Sequence, residues 1–107
     1  MALSRDSKQT VIERIQRDPD FAKALLDEAA TLFLNGEPGP ARLILRDLVN
    51  ATIGFEKLAA QTTRPSKSLH RMLSQKGNPS MDNLAAIFSA VQKNLQVGIQ
   101  VQSVKSA

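Results

Sequence analysis

Apolar residues recur at three- and four-residue spacing through most of the chain, then switch to strict alternation near its end. Val11, Ile12 and Ile15 mark a first helix that Ser7 or Asp6 can cap, and "DPD" at residues 18–20 ends it. Asp18 then caps a second helix with Pro19 at its first position, and Phe21, Leu25, Leu32 and Phe33 form its apolar stripe up to Asn35-Gly36. "GEPGP", residues 36–40, is the clearest breaker and reads as a hinge or turn, since neither side of it is long enough to be stable alone. A third helix runs from about Ala41 to Ala51. It is apolar at Leu43, Ile44, Leu45, Leu48 and Val49, nearly all round, which predicts deep burial.

After Gly54, "FEKLAAQT", "SKSLHRMLS" and "MDNLAAIFSAVQKN" predict three short helices, with "GNPS" turning the chain between the last two. The ending changes period. Leu95, Val97, Ile99 and Val101 alternate with Gln96, Gly98, Gln100 and Gln102, as in a half-buried strand. A lone strand needs a partner, so it is expected to pair across a dimer axis or with a different protein. The pattern as a whole predicts an all-α domain of about five or six helices with a short C-terminal β-strand. At 107 residues this is one domain: residues 1–37 hold the N-terminal helices, 41–94 a helical core, and 95–104 the strand.

Composition narrows the chemistry. There is no cysteine, which excludes disulfides, thiol catalysis and cysteine-based zinc sites and suits a cytoplasmic address. The opening "MALSRDSKQTVIERIQRD" has no apolar signal-peptide region, and no segment approaches the roughly 18 apolar residues of a membrane span. Four phenylalanines are the only aromatics, too few for base-stacking platforms. A single histidine, with no glycine-rich phosphate loop and no HExxH, offers neither a catalytic constellation nor a metal site, so no enzyme, metal or cofactor is expected.

The formal net charge of +4 is unevenly distributed. Residues 1–54 carry seven Lys/Arg against eight Asp/Glu, whereas residues 55–107 carry seven against two. Between Glu56 and Asp82 there is no acid, while Lys57, Arg64, Lys67, Arg71 and Lys76 all fall there. A patch of this kind attracts polyanions.

The same stretch has the pattern of a helix-turn-helix. Leu58-Ala59 supplies the apolar-small pair on which a second helix can pack, Thr62-Thr63-Arg64 a turn, and Leu69, Met72 and Leu73 an inward set. On a 3.6-residue period Ser66, Lys67, His70 and Arg71 then point outward together, where they can read bases in the major groove. Lys57, Arg64 and Lys76, with Asn78 and Ser80, are candidates for phosphate contacts.

"LAAQTTRPSKSLHRMLS", followed by "GNPSMDNLAAIFSAV" and a short apolar ending, resembles the HigA-like antitoxins of bacterial addiction modules, a Cro/C1-type helix-turn-helix family. The likeness covers residues from about 41 to 101. It implies a lambda-repressor-like fold and a cytoplasmic homodimer that binds double-stranded operator DNA and represses its own operon. It also implies a small RelE/HigB-type toxin, a ribonuclease, as partner. The family's pattern carries glycine where this chain has Thr63 and an apolar residue at Arg64. A threonine there either accepts a strained positive φ or makes a different turn.

Plainer readings stand beside these. The basic side chains can be an ordinary solvated face; the apolar framework behind them and the missing acids favour DNA. Ser80 can simply cap the next helix, and Phe21, Phe33, Phe55 and Phe88 suit a core. Asp18, Asp20, Asp27 and Glu28 fit helix-start preference, or an acidic face for a basic toxin. The alternatives to an antitoxin are a stand-alone phage-type or metabolic repressor without a toxin, and an interaction module that mainly binds a toxin.

Overall fold

The computed structural model describes the backbone of residues 5–106 and the side chains of residues 7–106. Six helices form it: α1 (Arg5–Arg17), α2 (Pro19–Leu34), α3 (Pro38–Ala51), α4 (Phe55–Thr62), α5 (Ser66–Met72) and α6 (Met81–Leu95). The architecture is all-α, and no strand occurs among the described residues. One hydrophobic cluster draws on every helix, from Ile15 of α1 through Leu26, Leu45, Leu58 and Leu69 to Ile87 and Val91 of α6.

Local signals explain most boundaries. Asp18 is the N-cap of α2: its carboxylate accepts the Phe21 N–H at 3.2 Å, and Pro19 occupies the first turn, where no N–H partner is needed. The start of α1 differs from expectation. The helix already includes Arg5, so Asp6 and Ser7 lie inside it and not at the N-cap position, and residues 1–4 and the Asp6 side chain fall outside what is described. Pro38 to Pro40 differ as well. They form the first turn of α3 and not a hinge, because proline's missing N–H costs nothing where the helix has no acceptor to offer it.

The inner line of α2 is Ala22, Leu26 and Ala29, all buried, while the predicted Phe21, Leu25, Leu32 and Phe33 are half-buried on its flanks. Small residues at the contact let α2 approach α3 closely, and Ala41 on α3 is likewise fully buried. Between Ala41 and Ala51 only Asn50 is exposed, as the nearly continuous apolar surface predicts. Phe55 is buried, and Phe33 and Phe88 meet edge to face with centroids 5.8 Å apart.

Burial pushes the Asp47 carboxyl on α3 above its ordinary pKa, and Arg46 and Lys8 only partly offset this. A carboxyl raised in this way holds its proton more tightly folded than unfolded. It therefore costs stability above the raised value, and the cost fades as pH falls through that value and is gone below the ordinary aspartate range. Asp47→Asn is expected to raise the thermal midpoint at neutral pH, with the two proteins converging on acidification in melts followed by circular dichroism.

The ending is the largest departure from the predicted elements. Leu95 is the last residue of α6, and Gln96 caps that helix in the left-handed region (φ 58°). Residues 97–106 carry no ladder, since a strand needs a second strand and the single chain supplies none. Burial nevertheless alternates: Leu95, Val97 and Ile99 are half-buried, and Gln96, Gly98 and Gln100 are exposed.

Candidate nucleic-acid interface

The basic stretch folds as α4, a connection of residues 63–65, and α5. Leu58 is fully buried on α4 with Ala59 half-buried beside it, and Leu69 and Leu73 are fully buried behind α5, with Met72 half-buried. A helix of seven residues is too short to persist alone, so α5 stands by virtue of this backing. On its outer side Lys67, His70 and Arg71 are exposed and Ser66 is half-buried. Lys57 and Lys76 are exposed too, and among the described residues none of these cations is ion-paired with a carboxylate. None of these basic side chains is therefore neutralised by a direct carboxylate contact among the described residues.

Of the two alternatives open to Thr63, the connection takes the strained one. Thr63 has φ 53° and ψ 35°, the left-handed conformation that a β-branched residue avoids, and its N–H closes α4 onto the Ala59 carbonyl. Its hydroxyl donates to the Thr62 carbonyl at 2.6 Å, and Thr62, itself buried, donates to Leu58 O at 2.7 Å. Thr63→Gly is expected to stabilise the fold by a net ~0.5–1 kcal/mol, after the added freedom of the unfolded chain is allowed for. Urea unfolding at unchanged m-value checks this.

Arg64 departs most from its predicted role. Nη1 donates to the Thr62 carbonyl at 2.8 Å and Nε to Asn83 Oδ1 on α6, so the guanidinium ties the connection to the last helix. Sequence proximity gave no sign of that pairing. His70 is also partly engaged: its ring stacks on Phe55, with centroids 3.8 Å apart and planes 18° from parallel, which leaves its edge to face outward. Ser80 is the N-cap of α6, accepting the Asn83 N–H at 3.1 Å, while its own hydroxyl proton remains available; Asn78 is exposed.

Two residues that hold α5 were not anticipated. From α3, Arg42 reaches across 32 positions; its Nε donates to the Ser74 carbonyl at 3.0 Å and its Nη2 to that of Gln75 at 2.9 Å. Those carbonyls lie just past the end of α5, where a helix leaves its acceptors unsatisfied and a cation is favoured. Gly77 folds back so closely that a Cβ there would overlap the Met72 carbonyl oxygen and lie 2.6 Å from that of Arg71.

The predicted acidic group is dispersed in role. Asp18 is used as a cap and lies 4.0 Å from Arg14, whereas Asp20, Asp27 and Glu28 are exposed on α2. Among the described residues no cluster of three or more His, Cys, Asp or Glu is placed to hold a metal ion, and no helix is long and apolar enough to cross a membrane. No protein-family model, curated protein or solved structure matches the chain.

Proposed function

We propose that α4 and α5 are the two helices of a helix-turn-helix and that the chain is a sequence-specific repressor binding double-stranded operator DNA. The observation that carries this reading is the outward face of α5. Lys67, His70 and Arg71 stand exposed on a helix fixed from behind by Leu69 and Leu73 and clamped at its end by Arg42. Arg71 suits bidentate bonding to guanine, Lys67 a base or phosphate, and Ser66 and the His70 edge a single hydrogen bond. Lys57 and Lys76 supply phosphate contacts, helped by Asn78 and the Ser80 hydroxyl. Arg64 acts chiefly by fixing the turn, with its remaining donors free for phosphate.

Two such helices one turn apart, about 34 Å, would read a palindrome. In a gel shift on the DNA upstream of the gene, Arg71→Ala is expected to cost about 1–3 kcal/mol on the preferred site and to relax sequence preference. Lys76→Ala is expected to weaken all duplexes alike and to lower the salt dependence by about one counterion. If neither substitution changes binding, the assignment fails.

Within this reading the chain serves as the antitoxin of a cytoplasmic addiction module, neutralising a RelE/HigB-type toxin. Its support is the likeness of the 41–101 sequence to HigA-like antitoxins, together with the exposed Asp20, Asp27 and Glu28 on α2, which suit a basic partner. Co-expression with the adjoining small reading frame tests it. Failure of the two products to co-purify leaves a stand-alone repressor.

A further inference from the structure

The end of α4 and the middle of α6 border a hollow of about 390 Å³, a volume within the range of small-molecule sites. Gln61 and Arg64 line it from one side and Ser89 and Lys93 from the other, while the short side chains of Ala86 and Ala90 leave the space between them. No residue of α5 lines it, so it is separate from the outward face of that helix.

We propose that this hollow binds a phosphate group, carried either by a small phosphate ester or by the backbone of DNA. Charge sets the sign of the occupant. Two cations line the hollow and no acid does, and among the described residues neither Arg64 nor Lys93 is ion-paired. Asp82, the acid one turn before Ala86 on α6, does not line it.

Arg64 is the fixed element. It is half-buried, with Nη1 held by the Thr62 carbonyl and Nε by Asn83 Oδ1, so its guanidinium is in place before any ligand arrives. Its Nη2 has no partner among the described residues. The Thr62 carbonyl, an acceptor at the end of α4 that would repel an anion, is already occupied by Arg64 and by the Thr63 hydroxyl. The Gln61 amide, the Ser89 hydroxyl and the Lys93 ammonium likewise make no hydrogen bond among the described residues. Donors on two sides suit the tetrahedral oxygens of a phosphate better than the planar pair of a carboxylate, and arginine and lysine both bind phosphate through charge-assisted hydrogen bonds.

The test follows the amide and Arg64 Nε–H resonances of the isotope-labelled full chain as inorganic phosphate is added, against sodium chloride of equal ionic strength. Phosphate is expected to give saturable shifts centred on residues 61–64 and 86–93 that chloride does not reproduce. Lys93→Gln is expected to weaken this binding about tenfold or more, the loss of one charge-assisted hydrogen bond. Lys23→Gln removes the same charge from α2 and is expected to leave it unchanged; both lysines are exposed, so neither change disturbs the core. Gel shifts in phosphate-free buffer then separate the two sources. A DNA phosphate predicts that Lys93→Gln weakens every duplex and lowers the salt dependence by about one counterion, whereas a free phosphate ester predicts unchanged duplex binding. The phosphate titration contains no DNA, so this site and the repressor reading can each fail without the other. Shifts no larger than those with chloride, shifts spread over all the basic side chains, or equal losses from Lys93→Gln and Lys23→Gln would overturn the proposal.

Discussion

Gly77→Ala is expected to lower the thermal midpoint by about 10 °C or more, an effect out of proportion to one added methyl group. The new Cβ would overlap the carbonyl oxygen of Met72 and press on that of Arg71, and both obstacles are backbone. A flexible side chain could swing away; the last turn of α5 cannot move without leaving its seat on Leu69. Overpacking of this kind costs about 1–3 kcal/mol, and the upper end applies when backbone is the obstacle. For a domain of this size each kcal/mol shifts the midpoint by about 4–8 °C. Gly98→Ala is the control: a Cβ there meets nothing within 4 Å and its φ lies outside the left-handed region, so its melt should match that of the wild type.

Leu69→Ala is expected to destabilise the chain by about 3 kcal/mol or more, through lost burial and the cavity left behind. Leu69 is the one buried residue within the seven of α5, and it has no exposed surface. Without it nothing central fixes the helix to the core, so DNA binding should fall together with stability. Arg71→Ala should separate the two: it is exposed, so the melt is unchanged while sequence preference is lost. Thermal melts and DNA titrations on this pair distinguish the residue that holds the helix from the one that reads with it.

What was legible in the sequence was local. The inward spacing of Leu69 and Leu73 and the caps at Asp18 and Ser80 follow from chemistry within four residues, and the structure places them accordingly. Pro38 and Pro40 were misread because a proline that would break a helix interior is harmless in its first turn. What was illegible was long-range. Arg42 meets the carbonyls beyond α5 from 32 positions away, and Arg64 meets Asn83 from 19, distances at which no periodicity speaks.

Gly77 was hidden for another reason. Its requirement is the closeness of a neighbouring backbone, which no turn pattern encodes. His70 illustrates the limit on the site itself: its outward position followed from helical period, but its stacking on Phe55 depends on how α4 and α5 cross. The tail shows the same division, for its alternation appears in the burial of Leu95, Val97 and Ile99 while no strand forms among the described residues.

The claim that α5 reads DNA is tested most directly by titrating one fluorescent duplex from the region upstream of the gene, and a shuffled duplex of equal length, under the same physiological salt. The account predicts that the upstream duplex binds tighter by about a thousandfold or more, and that Arg71→Ala removes about 1–3 kcal/mol of that difference while leaving the shuffled duplex unchanged. Equal affinity for the two duplexes, or none for either, would contradict it.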